Sequence, residues 1–150
     1  MNIRIATGED LSFLFQHDPE TLPDRLEKKV QGGLVYVACD EGSRRLALLK
    51  FSYFWDRIPY MDKLHVIESH RGRGIGRRIV DRWESDMFDA DAELVLTSTQ
   101  ADEDAQHFYR KLGYRDCGVL FVPQQIPAEI FLRKLRPSTE GSSTSAASLF

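Results

Sequence analysis

The chain has 150 residues, 42% hydrophobic and 29% charged, with a formal net charge of −3. That balance suits one soluble domain with its own core and argues against broad nucleic-acid binding. Two cysteines without a CxxC make neither a disulfide framework nor a zinc site, and no run approaches the ~20 apolar residues of a membrane span, so a cytoplasmic protein with no membrane or metal partner is expected.

In chain order, Asn2 to Ala6 alternates apolar and polar residues and reads as a strand. Glu9 to His17 and Pro19 to Gln31 read as helices, with Leu11, Leu14 and Phe15 on one face and Leu22, Leu26 and Val30 on another. Leu34 to Cys39 and Arg45 to Phe54 read as a hairpin around Asp40-Glu41-Gly42-Ser43. Tyr60 to Ile67 follows as a longer strand, within an apolar stretch that begins at Ile58.

From Gly74 to Asp89 the period becomes helical: Ile75, Ile79, Trp83 and Met87 recur every four residues, while Arg77, Arg78, Asp81, Arg82 and Glu84 are expected to face out. Leu94 to Leu96 reads as a strand and Asp102 to Leu112 as a second amphipathic helix, stopped at Gly113 in the left-handed conformation. Cys117 to Val122 and Glu129 to Leu135 close as an antiparallel pair. From Pro137 to Phe150 the composition turns to Ser, Thr, Ala and Gly without period, which reads as a disordered tail after one domain over residues 1–136. The order suits an α/β fold, a mixed sheet with helices on both faces.

The most informative run is Arg71-Gly72-Arg73-Gly74-Ile75-Gly76-Arg77-Arg78, between a strand and a helix. Glycines there let successive backbone amides converge on an anion, the helix end adds partial positive charge, and arginines supply forked donors, so a phosphorylated cofactor is expected. A P-loop would need Lys-Ser/Thr after the last glycine, where Arg77-Arg78 stand, and a dinucleotide fingerprint starting at Gly72 would need a glycine at Arg77. The pattern that fits is Arg-x-x-Gly-x-Gly (Arg71, Gly74, Gly76) behind Leu64-His65-Val66. About one helix and one strand later comes Ala105-Gln106-His107-Phe108-Tyr109-Arg110-Lys111-Leu112-Gly113-Tyr114.

Together the two segments resemble the signatures of the GCN5-related N-acetyltransferase (GNAT) superfamily. The resemblance implies the GNAT fold, a mixed central sheet of about seven strands flanked by four helices. It also implies acetyl-CoA as cofactor, leaving as coenzyme A, and direct transfer of its acetyl group to a primary amine of a small molecule or peptide in a ternary complex. A non-catalytic acyl-CoA-binding sensor or scaffold of the same fold is the alternative. The cofactor-binding residues it implies are Leu64, His65, Val66, Arg71, Gly72, Arg73, Gly74, Ile75, Gly76, Arg77, Tyr109 and Lys111, with the amide of Val66 or a neighbour as oxyanion donor. Thr97, Ser98 and Thr99 either line the same gap or cap the following helix.

Tyr109 is the expected general acid, a phenol protonated at neutral pH. Asp62, two places before Leu64, is first choice for general base, with Glu68, His65 or a water relay in reserve. Two departures stand out: Asp102 where many relatives have asparagine, and Glu68 where many have proline. His17, His70 and His107 read as polar surface. The acceptor pocket is expected from the first two helices, the Tyr53-to-Tyr60 segment with its aromatics and the closing hairpin, aided by acids such as Asp56 and Glu129. The assembly is expected to be a monomer or homodimer.

Overall fold

The apolar runs pair into one seven-stranded sheet in the computed structural model, which describes residues 1–138. The expected tail therefore lies outside the described residues from position 139 onward. In chain order the elements are β1 (Asn2–Ile5), α1 (Leu11–His17) after a tight turn at Gly8–Asp10, α2 (Pro23–Gln31), β2 (Val35–Cys39), β3 (Arg45–Phe54) and β4 (Ile58–Val66). They continue with a second tight turn at Glu68–His70, α3 (Ile75–Asp89), β5 (Leu94–Gln100), α4 (Ala105–Lys111), β6 (Arg115–Leu120) and β7 (Glu129–Leu135). The sheet order is β1-β2-β3-β4-β5-β7-β6, and among these neighbours β4 and β5 alone run parallel.

Several boundaries move for local reasons. α2 starts at Pro23, not Pro19, because a proline's fixed φ and missing N–H suit the first helical position. Residues 18–22 stay a loop, with Thr21 N–H donating to the Asp18 carbonyl at 3.3 Å. β5 runs on through Thr97, Ser98 and Thr99, which pair with Leu132, Phe131 and Ile130 of β7; these three belong to a strand and cap no helix. α4 begins at Ala105, since Gln106 Nε2 ties back to the carbonyls of Ala101 and Glu103. Gly113 (φ +98) ends it as expected, with Tyr114 N–H reaching the Tyr109 carbonyl at 3.1 Å; the chain reverses at once, so β6 starts at Arg115.

The α3 stripe buries Ile75, Ile79, Val80, Trp83 and Met87 against Tyr36, Leu49, Phe51 and Met61. Tyr109 of α4 joins the same cluster. On the other face Leu14 of α1 and Leu26 of α2 pack on Val35, Val37 and Leu48. Glu84 departs from the outward orientation expected for it: it is buried, accepting from Tyr114 Oη and Lys134 Nζ, both at 2.7 Å. No helix among the described residues is long and apolar enough to cross a membrane.

Two irregularities in β4 prepare a site. Lys50 pairs with Lys63 but Phe51 pairs with Met61, so Asp62 is the extra residue of a bulge. Parallel pairing with β5 covers Tyr60↔Leu96 and Met61↔Thr97 and then stops, although both strands continue. Beyond Met61 the strands splay apart.

Candidate active site

The splay leaves Leu64, His65 and Val66 paired with β3 on one side and with no strand on the other. The chain then turns into α3 through Gly72 (φ +75) and Gly74 (φ +80), conformations that cost an L side chain ~1–2 kcal/mol. A Cβ at either position would meet nothing within 4 Å, so glycine is required by the backbone conformation, not by crowding. Arg71 anchors the turn by donating from Nε to the Val66 carbonyl at 3.0 Å. The amides of Gly72 to Arg77 donate to no group among the described residues. Six unsatisfied donors at the start of a fifteen-residue helix make a cradle for an anion.

That cradle opens into a cavity of about 550 Å³. Of the residues expected to hold the cofactor, Leu64, His65, Val66, Arg71, Gly72, Gly74, Ile75, Gly76, Arg77 and Tyr109 all line it, whereas Arg73 and Lys111 do not and are exposed. Phe108 lines it as well. The unpaired edge of β4, the glycine turn and the α4 aromatics thus line one cavity. The residues present fit a phosphorylated, pantetheine-bearing cofactor.

A second cavity, of about 500 Å³, lies at the same splay, lined by Asp18, Glu20, Lys50, Asp62, Lys63, Thr97, Ser98, Thr99, Glu103 and Glu129 among others. The two cavities share Leu64, Ala105 and Tyr109. Tyr109 therefore stands where their contents would meet. It is 6% exposed, and burial pushes its phenol up to about 12, with the Thr97 hydroxyl pulling the other way. The hydroxyl keeps its proton across the physiological range.

Of the candidates for general base, Asp62 alone lines the second cavity. Its oxygens are engaged by Lys29 Nζ at 3.4 Å and Ser52 Oγ at 2.9 Å. The bulge explains why Asp62 and Lys63 both turn toward the α1–α2 side, Lys63 reaching Glu20 at 2.7 Å and Asp18 at 3.4 Å. His65 lines the first cavity and meets His17, so His17 is a partner and not free polar surface. Glu68 lines neither cavity. Tyr60 is turned to the Ser98 hydroxyl, and burial raises its phenol.

The aromatic segment expected at the acceptor is elsewhere. Tyr53, Phe54, Trp55 and Asp56 line neither cavity, and Phe51 is core. The β3–β4 hairpin tip lies at the start of β4, whereas the splay lies at its end. In place of those aromatics the second cavity takes Asp18, Glu20 and Glu103, charges that hydrophobic periodicity does not mark, together with Glu129. Glu103 was hidden inside a stretch read as helix, and it stands in the loop before α4.

Residues 4–114 match the model of the acetyltransferase (GNAT) family. No curated protein matches the sequence. Among solved structures, the chain is similar to a ribosomal-protein-alanine N-acetyltransferase from Brucella melitensis, with TM-score 0.76, 20% identity, and 91% of this chain and 100% of that one covered. It is also similar to Ard1 from Thermoplasma volcanium (TM-score 0.80, 15% identity, 91% and 98% covered). A third is the spermidine/spermine N-acetyltransferase SpeG from Vibrio cholerae (TM-score 0.73, 15% identity, 89% and 91% covered). At such identities the likeness speaks for the fold, and the family match over residues 4–114 speaks for the family. The chain belongs to the GNAT family of acetyltransferases.

Proposed function

We propose that the chain transfers an acetyl group from acetyl-CoA directly to the primary amine of a small molecule or peptide, within a ternary complex. The observation that carries this reading is the meeting of two cavities at Leu64, Ala105 and Tyr109, one beneath the amide cradle and one lined by carboxylates. Structural neighbours named for a ribosomal-protein alanine and for spermidine or spermine support an amine acceptor without choosing between a peptide and a small molecule.

When bound, acetyl-CoA supplies an acyl thioester and leaves as a thiol. The amides of Gly72 to Arg77 would hold its diphosphate, with Arg71 keeping the turn in shape and Arg73 and Lys111 left to the nucleotide end. The free edge of β4 at Leu64 to Val66 would align the pantetheine arm as an added strand. Tyr109 holds a proton on Oη at the junction and is the donor toward the departing sulfur. Asp62, directly or through water, is the acceptor for the amine's proton. The free cysteines, Cys39 buried and Cys117 exposed, support a reducing, cytoplasmic setting.

The test is thiol release from acetyl-CoA across a panel of amines and peptides, with Asp62→Asn alongside. Transfer predicts amine-dependent release and loss of the acidic limb of the pH–rate profile in Asp62→Asn. Thermal stabilisation by acetyl-CoA with no release from any amine would instead establish a binding module.

A further inference from the structure

The second cavity is lined by five carboxylates, Asp18, Glu20, Asp62, Glu103 and Glu129, and two lysines, Lys50 and Lys63. The lysines are already committed. Lys50 pairs with Asp18 at 2.7 Å, and Lys63 with Glu20 at 2.7 Å and Asp18 at 3.4 Å. Asp62 has Lys29 at 3.4 Å. Glu103 and Glu129 have no cationic partner among the described residues.

Their hydrogen bonds come from neutral donors. Glu129 accepts from Ser98 Oγ at 2.7 Å on one oxygen and from Gln125 Nε2 at 3.1 Å on the other. Glu103 accepts from Thr99 Oγ1 at 2.6 Å. Both are fixed to one point of the backbone: Glu129 is the cross-strand partner of Gln100, and Glu103 N–H donates to the Gln100 carbonyl at 3.0 Å. Neutral donors orient a carboxylate without cancelling its charge, so two preorganised negative charges sit at the β5 end of the cavity. One incoming ammonium would balance one of them.

We infer that Glu103 and Glu129 select an acceptor carrying a second positive charge beside the reacting amine. The inference rests on the transfer reading above and names the class of acceptor it takes. A terminal diamine and a peptide whose N-terminal amine neighbours a lysine or arginine share this chemistry. In either, one cation reaches the Tyr109 junction and loses its proton while the other stays paired with Glu103 or Glu129. A monoamine of equal length leaves a carboxylate facing an apolar chain.

The experiment compares kcat/KM for butylamine with 1,4-diaminobutane, and for a tetrapeptide with alanine or lysine at its second position, by thiol release from acetyl-CoA. The dicationic member of at least one pair should win by about tenfold or more, chiefly through KM, with the advantage shrinking as salt is added. The pair that shows the preference identifies the source of the second charge. Glu103→Gln and Glu129→Gln should each narrow that ratio, and the double variant should bring it near one. Equal kcat/KM within both pairs in the unaltered protein overturns the inference, as does a preference that survives the double variant. Either result leaves transfer itself standing, whereas absence of release with every acceptor would remove the reading beneath it.

Discussion

Nδ1 of His17 lies 3.0 Å from Nε2 of His65, joining the end of α1 to the strand that walls the cavity under the glycine turn. Burial holds the His65 imidazole below its ordinary value of 6.5, and the charges of His17, Arg71 and Lys63 push the same way against Glu20. The unfolded chain therefore takes up a proton that the folded chain resists, so stability from this site is complete above 6.5 and is lost as pH falls through that value. Thermal melts at about pH 7.5 and about pH 5.5 should show a smaller drop for His65→Gln than for the unaltered protein. Identical drops would mean the pair does not couple to folding.

Tyr109→Phe removes the proton at the junction while keeping the ring in its place between Phe108 and Tyr114. A fall in kcat on the order of 10²-fold is expected, with the KM for acetyl-CoA little changed. Because burial lifts this phenol to about 12, it adds no limb to the pH–rate profile below about pH 10. An undiminished kcat in Tyr109→Phe rejects its role as acid.

Gly76 differs from its neighbours Gly72 and Gly74, since it lies within α3 and its φ is not left-handed. A Cβ there would lie 3.6 Å from both Phe108 and Val66 and 3.8 Å from Leu64, all residues lining the cavity proposed for the cofactor. Those are ordinary contacts, so Gly76→Ala should fold normally and gain up to ~1 kcal/mol from helix propensity. The same methyl narrows the cavity, and affinity for coenzyme A should drop about tenfold or more. Calorimetry and a melt on one sample separate the two effects; undiminished affinity would place the cofactor elsewhere.

Glu84 is 5% exposed and is shared by Tyr114 and Lys134. Glu84→Ala strands both partners, and the loss should be about 3 kcal/mol, or on the order of 10 °C in Tm. It also lifts the constraint on Tyr114, whose phenol is raised first by burial and then by the Glu84 charge. A shift of only a degree or two would show that Lys134 and Tyr114 find water at no cost.

What the sequence alone determined is local. The α3 stripe, the left-handed Gly113 and the glycine turn depend on residues a few positions apart, where periodicity and allowed φ act directly. The two signature segments marked Tyr109 and the expected cofactor residues by resemblance, and most of these line one cavity beside β4. Tertiary structure decided everything that depends on distant partners. Whether Glu84 faces water or Lys134 is settled 50 positions away in β7, and Glu84 occupies a polar-looking slot on its helix. The bulge at Asp62 arises from its pairing with β3, and beyond Met61 the pairing of β4 with β5 stops while β5 stays paired with β7 through Gln100. The charge of the second cavity is a difference between carboxylates and lysines drawn from five separate segments, and only their packing reveals which of them cancel.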